Sequence, residues 1–324
     1  MVKADFIWMN GEVVPWADAT IHVSADAVLR GANVFEGERA YWSEPDQELY
    51  LFRHAEHLKR LRQSAKVMRM TIPYTDAEIT EGALAIIRCH NWRESVHFRP
   101  VVYFGEGEAH AFDPDEIRTG VFILAYRRPS PPTMFTGIRS CVSTWRRNSD
   151  LASPSRIKAA GNYHNARLAQ VEARMNGFGT PIMLNAAGKV SESPGSCFMM
   201  VRDGKVITPP VTADILESIT RETLMQLIRE ELRVPVLERN VDRSELYICD
   251  EAFFCGSGQE VQPIIEIDRY DVGNGRVGEL TTAIQALYFE VVKGGYAQYR
   301  SWLTPVYRAA AATGTAVGAL LQVK

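Results

Sequence analysis

The sequence predicts an α+β fold in two domains, and three observations lead there. Strand-like and helix-like segments mix without a regular strand–helix–strand period, which argues against a doubly wound parallel sheet. The stretch RRPSPPTMF at 127–135 carries three prolines in four positions. Such a run cannot be helix and makes a poor central strand, so it reads as an interdomain linker. The 324 residues are enough chain for two cores. The expected division is a small N-terminal α/β domain over 1–126, the linker over 127–135, a larger C-terminal domain over 136–307, and a tail over 308–324 with no assigned role.

In chain order, FIWMNGEVVPW reads as a hairpin turning on Asn10-Gly11, a strong two-residue turn signal. NVFEGERAYW and ELYLF are strands. HAEHLKRLRQSAKVMRM is a helix whose apolar stripe is Leu58, Leu61, Ala65 and Met68. TDAEITEGALAIIRCHN is a second helix, entered through a Thr/Asp cap. VHFRPVVYFG and GVFILAY return to strand. Past the prolines come the strand GIRSCVSTW and a helix near 162–176. That helix is expected to bury Leu168, Val171 and Met175 and to end at Gly177. Short strands with Ala-Gly and Asp-Gly turns fill 181–210. ITRETLMQLIREEL is a helix, EAFFCGSGQEVQPIIEID is strand, and ELTTAIQALYFEVVKGG closes the fold.

A net charge of -3 gives no basic field, so neither nucleic acid nor a membrane is an expected partner. No segment has the ~18 apolar residues of a membrane span, and MVKADFIWMNG lacks the apolar run of a signal peptide, so a cytoplasmic location is expected. The five cysteines form no C-x-x-C pair. They read as reduced thiols, and no metal site is expected. The P-loop, G-x-S-x-G and H-E-x-x-H signatures are all absent. The glycine-rich GNGRVGEL is a turn.

One lysine stands out. Lys158 lies between an isoleucine and Ala159-Ala160-Gly161, just before a helix. Taken alone it reads as a solvated lysine. Two other segments change that. KVSESPGSCF holds Glu192 in a tight turn of small residues. SITRET opens a helix at 218–221, and the free N–H groups of a helix start suit a phosphate. CGSGQE adds a Gly/Ser turn around Ser257. A carbonyl-reactive lysine, a buried carboxylate and a phosphate cradle are the parts of a pyridoxal phosphate enzyme.

The same stretches resemble the branched-chain amino acid aminotransferases, within the fold-type IV pyridoxal phosphate enzymes. The matching segments are WMNGEVVPWADATIHV, NVFEGERAY, LFRHAEHLKRLRQSAKVMRM, FRPVVYFG, IKAAGNYHNARLA, VSESPG, SITRET and DEAFFCGSGQEVQPI. They follow the family's order over nearly residues 1–305. The resemblance implies a C-terminal domain with a β-barrel-like core and an active site between the domains. It implies pyridoxal 5'-phosphate bonded to the catalytic Lys158, with Glu192 at the pyridine nitrogen and Tyr163 beside the ring hydroxyl. Arg60, Ile219, Thr220 and Ser257 are then the phosphate ligands, although nothing local separates Arg60 from Arg62. Small side chains at 159–161 would keep space for the cofactor.

On the substrate side, strand alternation puts Phe35, Gly37 and Arg39 on one face and Glu36 and Glu38 on the other. By resemblance the first face looks into the pocket, with Arg99 orienting the substrate's carboxylate side and Gly258 nearby. His97 stands where a tyrosine is common. Arg30 also replaces a usual tyrosine, and the linker lacks the family's pocket aromatics. An arginine in an apolar pocket is costly without a partner. Either Arg30 turns outward, or the substrate brings an anion, or the preference is not simply branched-chain. The implied activity is a ping-pong transfer of an amino group between a branched-chain-like amino acid and a 2-oxo acid such as 2-oxoglutarate, by a homo-oligomer that is at least a dimer. The loop at 105–117 is the segment expected to reach a neighbouring subunit. A D-amino acid or (R)-selective amine transaminase is the alternative on the same fold, followed by an aminodeoxychorismate lyase-like enzyme. A binding protein without the cofactor would be expected to have lost Lys158 or Glu192.

Overall fold

The computed structural model describes residues 4–107 and 117–308. The tail after 308 and most of the 105–117 loop lie outside the described residues. Asn10 and Gly11 both take positive φ, 51° and 97°, which joins β1 (Phe6–Met9) to β2 (Glu12–Pro15) in a tight hairpin. A short turn, α1 (Asp26–Leu29), precedes β3 (Asn33–Phe35), β4 (Glu38–Ser43) and β5 (Glu48–Phe52). Two helices follow, α2 (His54–Val67) and α3 (Asp76–His90). Thr75 and Glu78 form a reciprocal capping box at the start of α3. Strands β6 (Val96–Gly107) and β7 (Ile117–Arg127) come next.

The second half contains α4 (Thr133–Thr136), β8 (Ile138–Ser140), β9 (Val142–Arg146), α5 (Asn162–Met175) and β10 (Ile182–Leu184). It continues with β11 (Cys197–Arg202), β12 (Lys205–Thr208), α6 (Ile219–Glu230), β13 (Val236–Glu238) and β14 (Glu251–Gly256). The last elements are β15 (Glu260–Ile267), β16 (Tyr270–Asp271), α7 (Glu279–Val292) and β17 (Leu303–Pro305).

Among the described residues, the first sheet has the order β17-β5-β4-β6-β7-β1-β2, with β3 also on β6. Helices α2 and α3 cover one face, and Leu58, Leu61, Ile79, Ile86 and Ile87 share a core with Leu49, Leu51, Phe98 and Ile123. Gly82 lets α3 approach this closely, since a Cβ there would lie 2.7 Å from the Trp8 indole. The second sheet runs β13-β12-β11-β14-β15-β16, with β8 on β15, and β9 and β10 form a separate parallel pair. Strand β11 is apolar on both faces because both are covered. Met199 and Val201 pack with α6 and α7, whereas Phe198 and Met200 pack toward β9 and β10.

Several expectations are corrected. The run 33–42 is divided at Glu36-Gly37, although its register on β6 is unbroken, Phe35 facing Val101 and Glu38 facing Phe98. The run 251–268, by contrast, is a hairpin turning at Ser257-Gly258-Gln259, where the Gly/Ser turn is expected. Helix α7 does not close the fold; β17 returns from the second half to pair with β5 of the first sheet. The proline stretch, the expected interdomain linker, is held in place. Met134 is fully buried, and Gln262 and Gln285 donate to the carbonyls of Thr133 and Met134. Most plainly, α5 buries Ala166, Ala169 and Ala173, while Leu168, Val171 and Met175 are exposed. Alanines let this helix lie close to β9, and Glu172 accepts hydrogen bonds from Ser143 and Thr144 there, which fixes the rotation. Gly177, with φ 78°, ends α5 in a Schellman arrangement closed by Phe178 N–H to the Ala173 carbonyl.

The two sheets share a core. Tyr41, Tyr50 and Phe52 of the first pack with Phe253, Ile284 and Tyr288 of the second half. A buried ion pair, Arg39 to Glu260 at 2.9 Å, also crosses between them.

Candidate active site

The segment around Lys158 is stitched to β3. The Phe35 N–H donates to the Lys158 carbonyl and the Ala160 N–H to the Asn33 carbonyl. On the other flank the Lys158 N–H donates to Ser64 Oγ of α2, at 3.1 Å. This strand-like alternation explains the sequence there. Ile157 and Ala159 enter the first core, and Lys158 between them points into a cavity. Its Nζ is 2.9 Å from the Tyr163 hydroxyl and 5.2 Å from the centre of the Phe35 ring. Of the small residues that follow, Ala159 faces the core, Ala160 lines an adjoining cavity, and a Cβ on Gly161 would meet no protein atom within 4 Å.

That cavity, about 250 Å³, collects side chains from distant parts of the chain. Glu192 enters from a turn closed by the Ser196 N–H to Ser193 Oγ bond. It is 4% exposed. Arg147 lies 2.6 Å from one carboxylate oxygen, the Leu216 N–H donates at 3.3 Å, and Cys197 Sγ is 3.7 Å from the other. Burial raises the Glu192 carboxyl above its ordinary value, and Arg147 only partly offsets this. Next to it, α6 begins at Ser218, whose side chain caps the Arg221 N–H and leaves Ile219 at the cavity wall. Thr220 follows in the first turn, buried, and does not itself line the cavity. Ser257 and Gly258 line it from the β14–β15 turn.

Arg60 reaches the cavity from α2, held in a two-pronged pair with Glu36 at 2.6–2.7 Å and donating to the Glu217 carbonyl. His57 stands 2.7 Å from the same carboxylate. Burial would raise the Glu36 carboxyl, but Arg60 and His57 overcome it and hold Glu36 well below the usual carboxylate range. Arg62, the rival candidate, pairs with Asp76 on the surface. Glu38, on the same strand face as Glu36, pairs with His54 at 2.7 Å.

The opposite wall comes from the end of β3, the β3–β4 junction and β6: Phe35, Gly37, His97 and Arg99 line it. Burial first, then the charges of Arg128 and Arg99, push His97 well below its ordinary value, so the ring is neutral at pH 7. An adjoining apolar cavity, lined by Val28, Val101, Phe122 and Leu124, shares Phe35, Arg99 and Tyr163 with the first. Arg30 is not part of this site. It sits exposed after α1, paired with Asp26 one helical turn back, and lines neither cavity.

Sequence reading missed Arg147, Cys197 and Arg128, which all line the cavity. For Arg147 and Cys197 no local signal exists, since each matters only through its distance from Glu192. Arg128 was within reach. Continuing the alternation of β7 from Leu124 through Tyr126 puts position 128 on the face of Arg99 and His97.

Comparison with known proteins agrees with this geometry. The profile described as "Amino-transferase class IV" matches residues 33–267. The branched-chain-amino-acid aminotransferase of Salmonella typhimurium is 37% identical over 307 residues, covering 94% of this chain and 98% of the relative. The crystal structure of the Thermobaculum terrenum branched-chain amino acid aminotransferase in its PLP form superposes with a TM-score of 0.89 at 40% identity, covering 94% of this chain and 99% of that one. A further branched-chain amino acid aminotransferase, solved in complex with N-(5'-phosphopyridoxyl)-L-glutamate, gives 0.87 at 33% identity, covering 94% of this chain and 100% of that one. The chain therefore belongs to the class IV aminotransferases, the pyridoxal phosphate-dependent enzymes of fold-type IV.

Proposed function

We propose that this aminotransferase moves the amino group of a branched-chain amino acid to a 2-oxo acid such as 2-oxoglutarate, in the two half-reactions of a ping-pong cycle. One observation carries the reading: Lys158, Glu192 and the start of α6 meet in a single cavity, although the sequence separates them by dozens of residues. The adjoining apolar cavity suits an aliphatic side chain. The phosphopyridoxyl-glutamate complex of the solved relative supports glutamate and 2-oxoglutarate as the shared pair.

The donor set suits pyridoxal phosphate. The first N–H groups of α6, at Ile219 and Thr220, have no acceptor within the helix and would hold a phosphate together with Ser257 and Arg60. Glu192, buried and anchored by Arg147, would meet the ring nitrogen. When bound, the cofactor supplies the carbonyl that takes up the amino group and a ring that accepts an electron pair. Lys158 Nζ would move the proton on and off the substrate carbon. The Tyr163 hydroxyl, 2.9 Å away, holds Nζ in position, and the Phe35 ring shields it. Glu36 fixes the direction of the Arg60 guanidinium through both of its oxygens.

The protein is inferred to work as a homodimer or larger oligomer in the cytoplasm. The family resemblance supports the first part. For the second, all five cysteines are free thiols, as a reducing compartment would keep them. Among the described residues no helix is long and apolar enough to cross a membrane.

The purified protein should be yellow. Isoleucine should discharge its absorption band and 2-oxoglutarate restore it, and light scattering should give at least a dimer. Exchange with neither compound by a cofactor-loaded sample overturns the reading. Faster turnover of a simple aryl amine than of isoleucine shifts it to an amine transaminase.

A further inference from the structure

The wall opposite the cofactor end holds more positive charge than an aliphatic amino acid can balance. Arg99 and Arg128 both line the cavity, and among the described residues neither guanidinium has a carboxylate partner. Arg99 Nε is buried with no hydrogen-bond partner, and so are both ring nitrogens of His97, a residue 3% exposed. Buried polar groups left this way are costly unless a ligand satisfies them.

Their placement follows from hairpin register. Arg99 faces Leu124 and His97 faces Tyr126, and the Arg128 N–H donates to the Ser95 carbonyl at 3.0 Å. Position 128 therefore continues the same face. The turn at Gly258 lies beside its guanidinium, and a Cβ there would stand in ordinary contact, 3.7 Å from Arg128 Nη1. His97 is neutral, so it adds donors or acceptors but no third charge.

We propose that Arg128 is a specificity-determining residue that takes the second carboxylate of a dicarboxylic substrate. This rests on the transamination reading and names its acidic partner class. A substrate with an aliphatic side chain brings one carboxylate, which satisfies one guanidinium fork. A dicarboxylic substrate brings two, and both forks are then occupied. Aliphatic side chains use the adjoining apolar cavity instead, so one site serves both partners of the cycle.

The test uses the holoenzyme and two unreactive probes, glutarate and 4-methylpentanoate, in competition binding by calorimetry. The wild type should bind glutarate about tenfold or more tightly than 4-methylpentanoate. In Arg128→Leu the two affinities should converge. The ratio of kcat/KM for 2-oxoglutarate to that for 4-methyl-2-oxopentanoate should fall by about tenfold or more. Arg128→Lys, which keeps the charge without the fork, should fall in between. Equal affinities in the wild type, or an unchanged ratio in Arg128→Leu, overturns the proposal. If Arg128→Leu does not fold, the wild-type affinities and the Lys variant decide it by the same criteria. Glutarate binding that depends on Arg128, in a protein that does not transaminate isoleucine, keeps this subsite and removes the branched-chain reading. Isoleucine turnover without any preference for glutarate does the reverse.

Discussion

The two ends of the cavity balance charge in different ways. At the cofactor end each charged group has a protein partner: Arg60 lies against Glu36, Arg147 against Glu192, and Lys158 against the Tyr163 hydroxyl. At the substrate end Arg99, Arg128 and the neutral His97 have no carboxylate facing them among the described residues. The first end is pre-organised, because its orientations are fixed before any ligand arrives. The second is built so that the ligand brings the missing charge. On the proposed roles catalysis and specificity are separated in space, and substitutions at the two ends should fail in different ways.

The largest effect is expected at Lys158. On the proposed roles, Lys158→Ala removes both the group that would bond the cofactor and the proton carrier, and proton transfer alone contributes roughly 10²–10⁴-fold. Turnover should be lost, and borohydride should no longer fix the cofactor to the chain. A label on another lysine in the wild type would sink the assignment.

Glu192→Gln should keep bound cofactor but slow the isoleucine half-reaction by a factor on the order of 10² or more, as for the loss of a pre-organised electrostatic group. Stopped-flow single turnovers measure this directly. A rate near that of the wild type would mean that the carboxylate does not act on the ring.

Glu36→Gln tests the pairing itself. Breaking a buried pair by removing one partner costs about 3–5 kcal/mol. The folded carboxyl is held below its ordinary value of 4.5. Its contribution is therefore present above that value and lost as pH falls through the lower folded value. Denaturant unfolding should show a wide gap between wild type and variant at pH 7 that narrows toward pH 3. A gap independent of pH would mean that packing, not the ion pair, is what the variant loses.

The smallest effect belongs to Arg30. Its pair with Asp26 is a surface contact one helical turn apart, worth about 0.3–0.5 kcal/mol. Arg30→Tyr, which puts a tyrosine at this position, should leave the ratio of acidic to branched-chain kcat/KM unchanged. A tenfold change would return Arg30 to the pocket and weaken the case for Arg128.

The contrast between the two ends also marks how far the sequence could be read. At the proposed cofactor end the candidates were nominated by local signals taken together with the family resemblance. A lysine between core residues, a glutamate in a small-residue turn and a serine-capped helix start each occupy a few consecutive positions. The hairpin at Asn10-Gly11 and the capping box at Thr75 belong to the same class, since backbone conformation at one or two residues decides them. Helix α5 shows the limit. Its alanine stripe and its Leu168, Val171, Met175 stripe have the same helical period, and larger side chains are no guide when the neighbouring strand demands a close approach.

By itself, then, the sequence determined most of the element types and the mixed α+β class, and it nominated the residues proposed to meet a phosphate, a ring nitrogen and an aldehyde. Each depends on short-range chain geometry or on a motif that travels intact. Tertiary structure alone decided which arginines line the cavity. Arg30 was left outside it, exposed after a four-residue helix, and Arg128 was brought in by the register of β6 against β7. Tertiary structure also decided that Arg147 anchors Glu192, that Glu36 holds Arg60, and that β17 returns to the first sheet. The physical reason is the same in each case. Pairing energy depends on distance in space, and segments far apart in the chain become neighbours only once the sheets have formed and packed.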